Sequence, residues 1–317
     1  EAAKDIGAGV ISGTGALTQL PGQLYGLATG NFEDSGLLGA GKKIQEFGEE
    51  MKSPGLKERE AQRAQKIQEA EKSGQLAAAG TAFIETIKDP AMLANFLAEQ
   101  APQLLVPLGA AKAGAAAMGA RQLAKGVAAE EAAAMAGKAG ASTAVGAGAV
   151  QQGADIGAGA YEDIYKELKA KGAPDKDAAE AALNLARAAG ASGAIISLLS
   201  QRLPGARTIE EAFAGVPGKS GRALGALKGA AGEAASEVAE ETGGKFSQNL
   251  AMREVKPEQE LTAGLGQTAG MAAIGGVGMG GVTGALQRPG ATPEKPPVAE
   301  APPTEPAPPA APVQPTE

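Results

Sequence analysis

Glu233, Glu237 and Glu241 recur at four-residue spacing, with Glu240 alongside. Carboxylates on successive turns of one helix face are the raw material of a bundle metal site. Such sites, however, normally add a Glu-x-x-His pair from each of two helices, and this chain has no histidine. The expectation is a solvated face, partly neutralised by Lys245 four residues after Glu241. Nor does the sequence place two carboxylates opposite one another across a cleft, as glycoside hydrolysis requires.

Two glycine patterns approach phosphate chemistry and fall short of it. Gly218, Lys219 and Ser220 end like a phosphate-binding loop, yet Phe213 stands where the first glycine belongs, and no strand pattern precedes it. Gly276, Gly278 and Gly281 satisfy the dinucleotide spacing, but inside a glycine-rich run with no strand before and no acidic residue after. No nucleophile and base constellation is visible. With neither Cys nor His, zinc, haem and thiol chemistry lack their usual ligands. No enzymatic activity, cofactor, metal or small-molecule substrate is expected. The 29 basic residues are outnumbered by 36 acidic ones and form no sustained stripe, so no sequence-specific nucleic-acid partner is expected either.

What remains is the glycine itself. Residues 264 to 286 read "GLGQTAGMAAIGGVGMGGVTGAL", without a charge between Glu260 and Arg288. About 20 apolar residues can span a bilayer core, but each interior glycine costs a helix roughly 0.8 to 1 kcal/mol against alanine. A partner surface must offset that loss. Gly276, Gly280 and Gly284 supply one, a groove that admits another backbone. Gly22, Gly26 and Gly30 repeat the spacing in a second uncharged run, residues 6 to 32, and a third run lies between Lys138 and Asp155. Replacing Gly280 by Leu is expected to block close packing and membrane activity; unchanged assembly and liposome leakage would contradict this. Missing Trp and scarce Tyr argue against a permanent membrane span with aromatic belts. Conditional insertion fits better: helices soluble when packed on each other and able to turn apolar faces to lipid.

These residues need helices to position them, and no alternating strand pattern of useful length occurs. Ser53 to Gly55 breaks a charged stretch whose second half reads as a solvated connecting helix, with Leu56, Ala64 and Ile67 as its apolar line and Gly74 as its stop. Asp89 is placed to cap a helix with Pro90 at its first position, which predicts a helical hairpin joining the apolar sets Phe83, Ile84, Ile87 and Met92, Leu93, Phe96, Leu97. Pro102 and Pro107 interrupt the chain before an Ala-rich helix from about Ala110 to Ala136. A helix over 155 to 172 ends at Gly172. The next restarts with Asp177 and Glu180 as a capping-box analogue and sets Ala181, Leu185, Ala188, Ser192, Ile195 and Leu199 on one face. Pro204 ends it, and Thr208 with Glu211 caps a short helix before Gly215. A helix from about Gly218 to Leu250 is expected to be interrupted at Gly243 and Gly244.

The fold class read from this pattern is all-α, with extended or loosely bundled Ala/Gly-rich helices. Residues 1–52 form a Gly-rich apolar segment, 53–203 helical hairpins, 204–288 a helical region ending in the glycine zipper, and 289–317 a disordered Pro-rich linker. Because the sequence opens without Met and closes on that linker, an excised piece of a longer polypeptide is expected.

"LPGQLYGLATGNFED", "YEDIYKELKAKGAPDKDAAEAALNLARAAGASGAIISLLSQRLPG" and "KGAAGEAASEVAEETGGKFSQNLA", followed by the glycine zipper, resemble in that order the central region of internal virion, or DNA-ejection, proteins of short-tailed bacteriophages and related large polyvalent proteins. The resemblance covers most of residues 6 to 288. It implies a role in genome delivery: storage in the virion, exit through the tail, and reassembly as a conduit across the host envelope. The implied partners are further copies of the chain, other virion proteins and the host inner membrane. Some family members carry a lytic transglycosylase, whose motif is not found here. The competing readings are a passive helical spacer in a mobile-element polyprotein and a stand-alone pore former.

Overall fold

The computed structural model describes residues 1–32, 36–201 and 222–286, with backbone only for 222–229 and 279–286. The expectations at Pro204, Thr208, Glu211, Gly215 and Gly218 to Ser220, and for the tail 289–317, lie outside the described residues. The described residues are helical without a strand, as the missing period-two pattern requires. In chain order the helices are α1 (Ala2–Thr29), α2 (Gly36–Met51), α3 (Pro54–Glu71), α4 (Gln75–Ile87), α5 (Pro90–Gln100), a 3-10 turn (Ala101–Leu104), α6 (Leu105–Ala124), α7 (Ala129–Ala170), α8 (Asp175–Ser200), α9 (Arg222–Val255) and α10 (Leu265–Leu286).

Local chemistry explains many of the boundaries. Ser53 caps α3 by accepting the Leu56 N–H at 3.1 Å, with Pro54 in the first turn. Asp89 caps α5 by accepting the Ala91 and Met92 N–H groups at 3.0 and 3.1 Å, and Gly172, at φ 84°, ends α7. Asp177 and Glu180 make no box. Helix α8 starts two residues earlier, with Pro174 before it and no side-chain cap. The Ala-rich helix also differs from its expected bounds, because Gly126, at φ 78°, divides it and its second half joins α7.

The helices pack through small residues. The main core joins α7 and α8 through Ile156, Ala160, Ile164, Ala182, Ala186 and Ala189, with Ala251 of α9. There the two backbones nearly touch: a Cβ built on Gly190 would lie 2.6 Å from the Gly153 carbonyl oxygen, and one on Gly153 2.8 Å from that of Gly190. This is the small-residue packing that brings helices together in membranes. Helix α9 runs unbroken through Gly243 and Gly244, contrary to the expected interruption. Cβ atoms there would meet Ile196 Cγ2 at 2.6 Å and Ile156 Cδ1 at 2.5 Å, so the two glycines are holes that receive isoleucine side chains. Helices α4 and α5 follow one another but find their main partners elsewhere, α4 on α3 and α10, α5 on α1. Buried Asp5 fastens α1, accepting Ser53 N–H and Oγ–H at 2.7 and 2.9 Å while its backbone carbonyl accepts Asn95 Nδ2–H at 2.6 Å.

Large apolar side chains lie largely outside this framework. On α4 the buried positions are Ala78, Ala82 and Thr86, while Leu76, Ile84 and Ile87 are exposed. On α8 the buried row is Ala178, Ala182, Ala186, Ala189, Gly190, Gly193, Ser197 and Ser200. The row expected inside is displaced: Ala188, Ser192, Ile195 and Leu199 are exposed, Ala181 and Leu185 half-buried. A helix that meets α7 glycine against glycine has no room for leucine on its inner face. Likewise, Leu56 and Ile67 of α3 are buried, but Ala64 between them is exposed.

Candidate functional site

The six seam glycines occupy different environments. Gly22 is buried in α1. Gly26 leaves space filled by the Phe32 ring, where a Cβ would clash with three ring carbons. Gly30, at φ 84°, ends α1 and donates its N–H to the Gly26 carbonyl at 2.8 Å. Gly276 lies directly over the Ala234 backbone, joining α10 to α9 with no space for a side chain. Gly280 and Gly284 continue α10, and their surroundings fall outside the described residues. Within or beside the three glycine runs, the pairs that the sequence reading did not single out include Gly9 and Gly13 against α5, Gly153 and Gly157 against α8, and Gly266 and Gly270 against α4. The four-residue spacing of each pair was the available signal.

Behind these seams lies a polar interior. Gly276 draws α10 onto one side of α9 while α7 and α8 cover another, and the α9 carboxylates are thereby enclosed. The expected solvated face is not found, since Glu233 and Glu240 are 2% and 7% exposed. Glu240 accepts Ser200 Oγ–H at 2.5 Å and Gln201 Nε2–H at 2.8 Å. Glu241 accepts Gln152 Nε2–H at 3.1 Å. The carboxylates and amides border a cavity of about 290 Å³ that no Lys or Arg lines among the described residues. It shares Gln100, Gln103, Glu237, Glu241 and Gly275 with a second cavity of about 560 Å³, where Lys245 is found.

Burial controls the protonation of this interior. It pushes Glu240 above the usual carboxylate range, with the hydrogen bonds from Ser200 and Gln201 pulling back. It also raises Glu241 against the hydrogen bond from Gln152. Asp155 of α7 is pushed up to about 6, chiefly by burial and further by the charge of Glu241, while the Gln23 amide opposes the rise. Among the described residues no three carboxylates gather closely enough to hold a metal ion. The arrangement holds protons and fixes helices through carboxylate and amide hydrogen bonds.

Outside, α8 is the one described helix long and apolar enough to cross a membrane, and 33% of its apolar window is buried in the fold. The sequence had pointed instead to 6–32 and 261–287; α1 packs on α2 and α5, and α10 on α9 and α4. No family model, curated protein or solved structure matches the chain.

Proposed function

We propose that the chain is a non-enzymatic structural segment of a phage internal virion protein, one that associates with further copies and presents apolar helix faces to the host envelope during genome delivery. The observation that carries this reading is the sidedness of the helices. Alanine, glycine and serine of α8 and Glu233 and Glu240 of α9 face inward, while Ile195, Leu198 and Leu199 of α8 and Phe246 and Leu250 of α9 face outward. In water such a surface invites burial against another molecule. In lipid it is the ordinary outer surface, since small and polar residues mediate the helix contacts there. The sequence resemblance over residues 6 to 288 supplies the biological setting.

Flotation of the full chain with anionic liposomes, paired with circular dichroism, tests the reading. Co-flotation with a gain in helicity is expected. Protein left in solution with unchanged helicity would overturn the membrane-facing role and leave a passive helical spacer.

A further inference from the structure

A cavity of about 700 Å³ lies between α1, α2 and α7, away from the α9 carboxylates but sharing Asp155 with their cavity. One wall is aromatic in a chain whose aromatics make up only 3% of residues. Phe32 stacks on Tyr161 with ring centroids 4.1 Å apart, and Tyr161 on Tyr165 at 5.9 Å. Gly26 makes this wall possible by leaving room for Phe32 to fold back. Polar groups line the cavity beside it. Gln23 is 8% exposed, and its Oε1 is buried without a hydrogen-bond partner. Its amide nitrogen is the group hydrogen-bonded to Asp155, which orients the amide and leaves the carbonyl oxygen as the unsatisfied acceptor. Gln19, its neighbour one turn earlier, already donates to Gln45 Oε1 at 2.6 Å. Lys42 and Lys166 also line the cavity, and both pair with Glu162, at 3.2 and 2.8 Å.

An ionised carboxylate and a lone carbonyl oxygen side by side call for a ligand that donates hydrogen bonds and carries positive charge. The ring wall favours a planar cation, which gains from the π faces and edges. An anion would face Asp155, and a purely apolar ligand would leave the Gln23 carbonyl unsatisfied. We propose that this cavity binds a planar organic cation of the guanidinium or amidinium class, its N–H groups shared between Asp155 and Gln23 Oε1 and its plane against the Phe32, Tyr161 and Tyr165 rings. The cation is either a free small molecule or an arginine side chain of a neighbouring copy; the chemistry of recognition is the same. The inference stands apart from the assembly role, since it needs no lipid and no conduit.

Asp155 is the group whose charge the ligand needs. The polar groups that line the two cavities it borders are Gln19 and Gln23 of α1, Lys42 of α2, Gln151, Gln152, Glu162 and Lys166 of its own helix, Ser197 of α8 with the adjoining Gln201, the amides Gln100 and Gln103, and Glu233, Glu237, Glu240, Glu241 and Gln248 of α9. Because its carboxyl titrates at about 6, the affinity should hold at pH 7.5 and fall as the pH drops through that value.

Benzamidine is the probe, with benzamide as its neutral counterpart. Two of the chain's three tyrosines line the cavity, so tyrosine emission of the full chain reports occupancy directly. Saturable quenching or enhancement by benzamidine at pH 7.5 is expected, at least roughly ten-fold weaker for benzamide and for Asp155→Asn. Asp155 keeps accessible surface in the fold, so Asp155→Asn, which preserves the side chain's shape, should fold; the pH titration of the unaltered chain is a second measurement that needs no variant. Equal response to both probes, or benzamidine binding unchanged between pH 7.5 and 5, overturns the proposal. Sedimentation velocity separates the two sources. Oligomers that dissociate with benzamidine place a neighbour's arginine in the cavity, and unchanged sedimentation with retained binding places a free cation there.

Discussion

Helix α8 is held on two sides by opposite means. Along its middle, against α7, it has no polarity and no space, only Gly190 and Gly193 on Gly153, Ile156 and Gly157; the polar contacts with α7 sit at its first residue, where Asp175 pairs with Lys169 and accepts from Tyr165. Against α9 it has space and polarity, with Ser200 and Gln201 gripping Glu240 beside an acidic cavity. The first contact depends on the absence of atoms and is indifferent to pH. The second depends on hydrogen bonds to groups that titrate. One helix therefore joins a fixed seam to an adjustable one.

The largest effect should come from breaking the fixed seam. In Gly190→Leu the new Cβ collides with the Gly153 carbonyl oxygen and sits 3.3 Å from Gly157 Cα, both backbone atoms that cannot rotate away. A loss of about 3 kcal/mol or more is expected, seen as a thermal midpoint that falls similarly at pH 5 and pH 7 by circular dichroism. An unchanged midpoint would mean that the helices do not meet here.

That seam also shows how far the sequence was legible. The caps at Asp89 and Ser53 and the glycine stop after α7 follow from one or two residues acting on their own backbone, and local rules suffice for them. The inward face of α8 is different. Periodicity marks Leu185, Ile195 and Leu199 as the core stripe because bulky apolar side chains usually fill cores. Where backbones nearly touch, however, the fold selects for smallness, and Ala182, Ala186 and Gly190 take the inside. The same misreading turned the α9 glutamates outward. Their burial depends on Gly276 bringing α10 over Ala234, a contact between residues about 40 apart that no local window contains. The cavity beside Asp155 was equally hidden, since Gln23, Phe32 and Tyr161 meet only when α1 lies along α7.

The adjustable contact predicts an unusual pH profile. Asp155, Glu240 and Glu241 have folded-state values raised by burial. The folded chain therefore binds more protons than the unfolded one, and stability increases as pH falls. For Asp155 the gain begins near 6 and is complete by the ordinary value of 3.8. Glu85, Glu162 and Asp175, held low by lysine partners, oppose this only once the pH nears the carboxylate range. The thermal midpoint should thus rise between pH 7 and pH 5. Glu240→Gln should retain the Gln201 contact, raise the thermal midpoint at pH 7 and flatten the rise; a midpoint that falls steadily from pH 7 would contradict the buried-carboxylate account.

The smallest effect on stability should come from the side of α8 that neither contact uses. Ile195 and Leu199 are 57% and 52% exposed, so replacing both by Ser removes little packing, and a change within about 0.5 kcal/mol per site is expected. Their value lies in what the surface meets. If the outward face of α8 touches lipid, the double variant keeps its thermal midpoint and loses co-flotation with anionic liposomes. If it is buried in an intramolecular contact, the midpoint falls instead, because two bulky side chains leave a cavity. Gly190→Leu reverses the expected pattern: its outer face is intact but its inner seam is broken, so the fold weakens while lipid contact persists. Measured together, the two variants separate the side of the helix that holds the protein together from the side it offers to its surroundings.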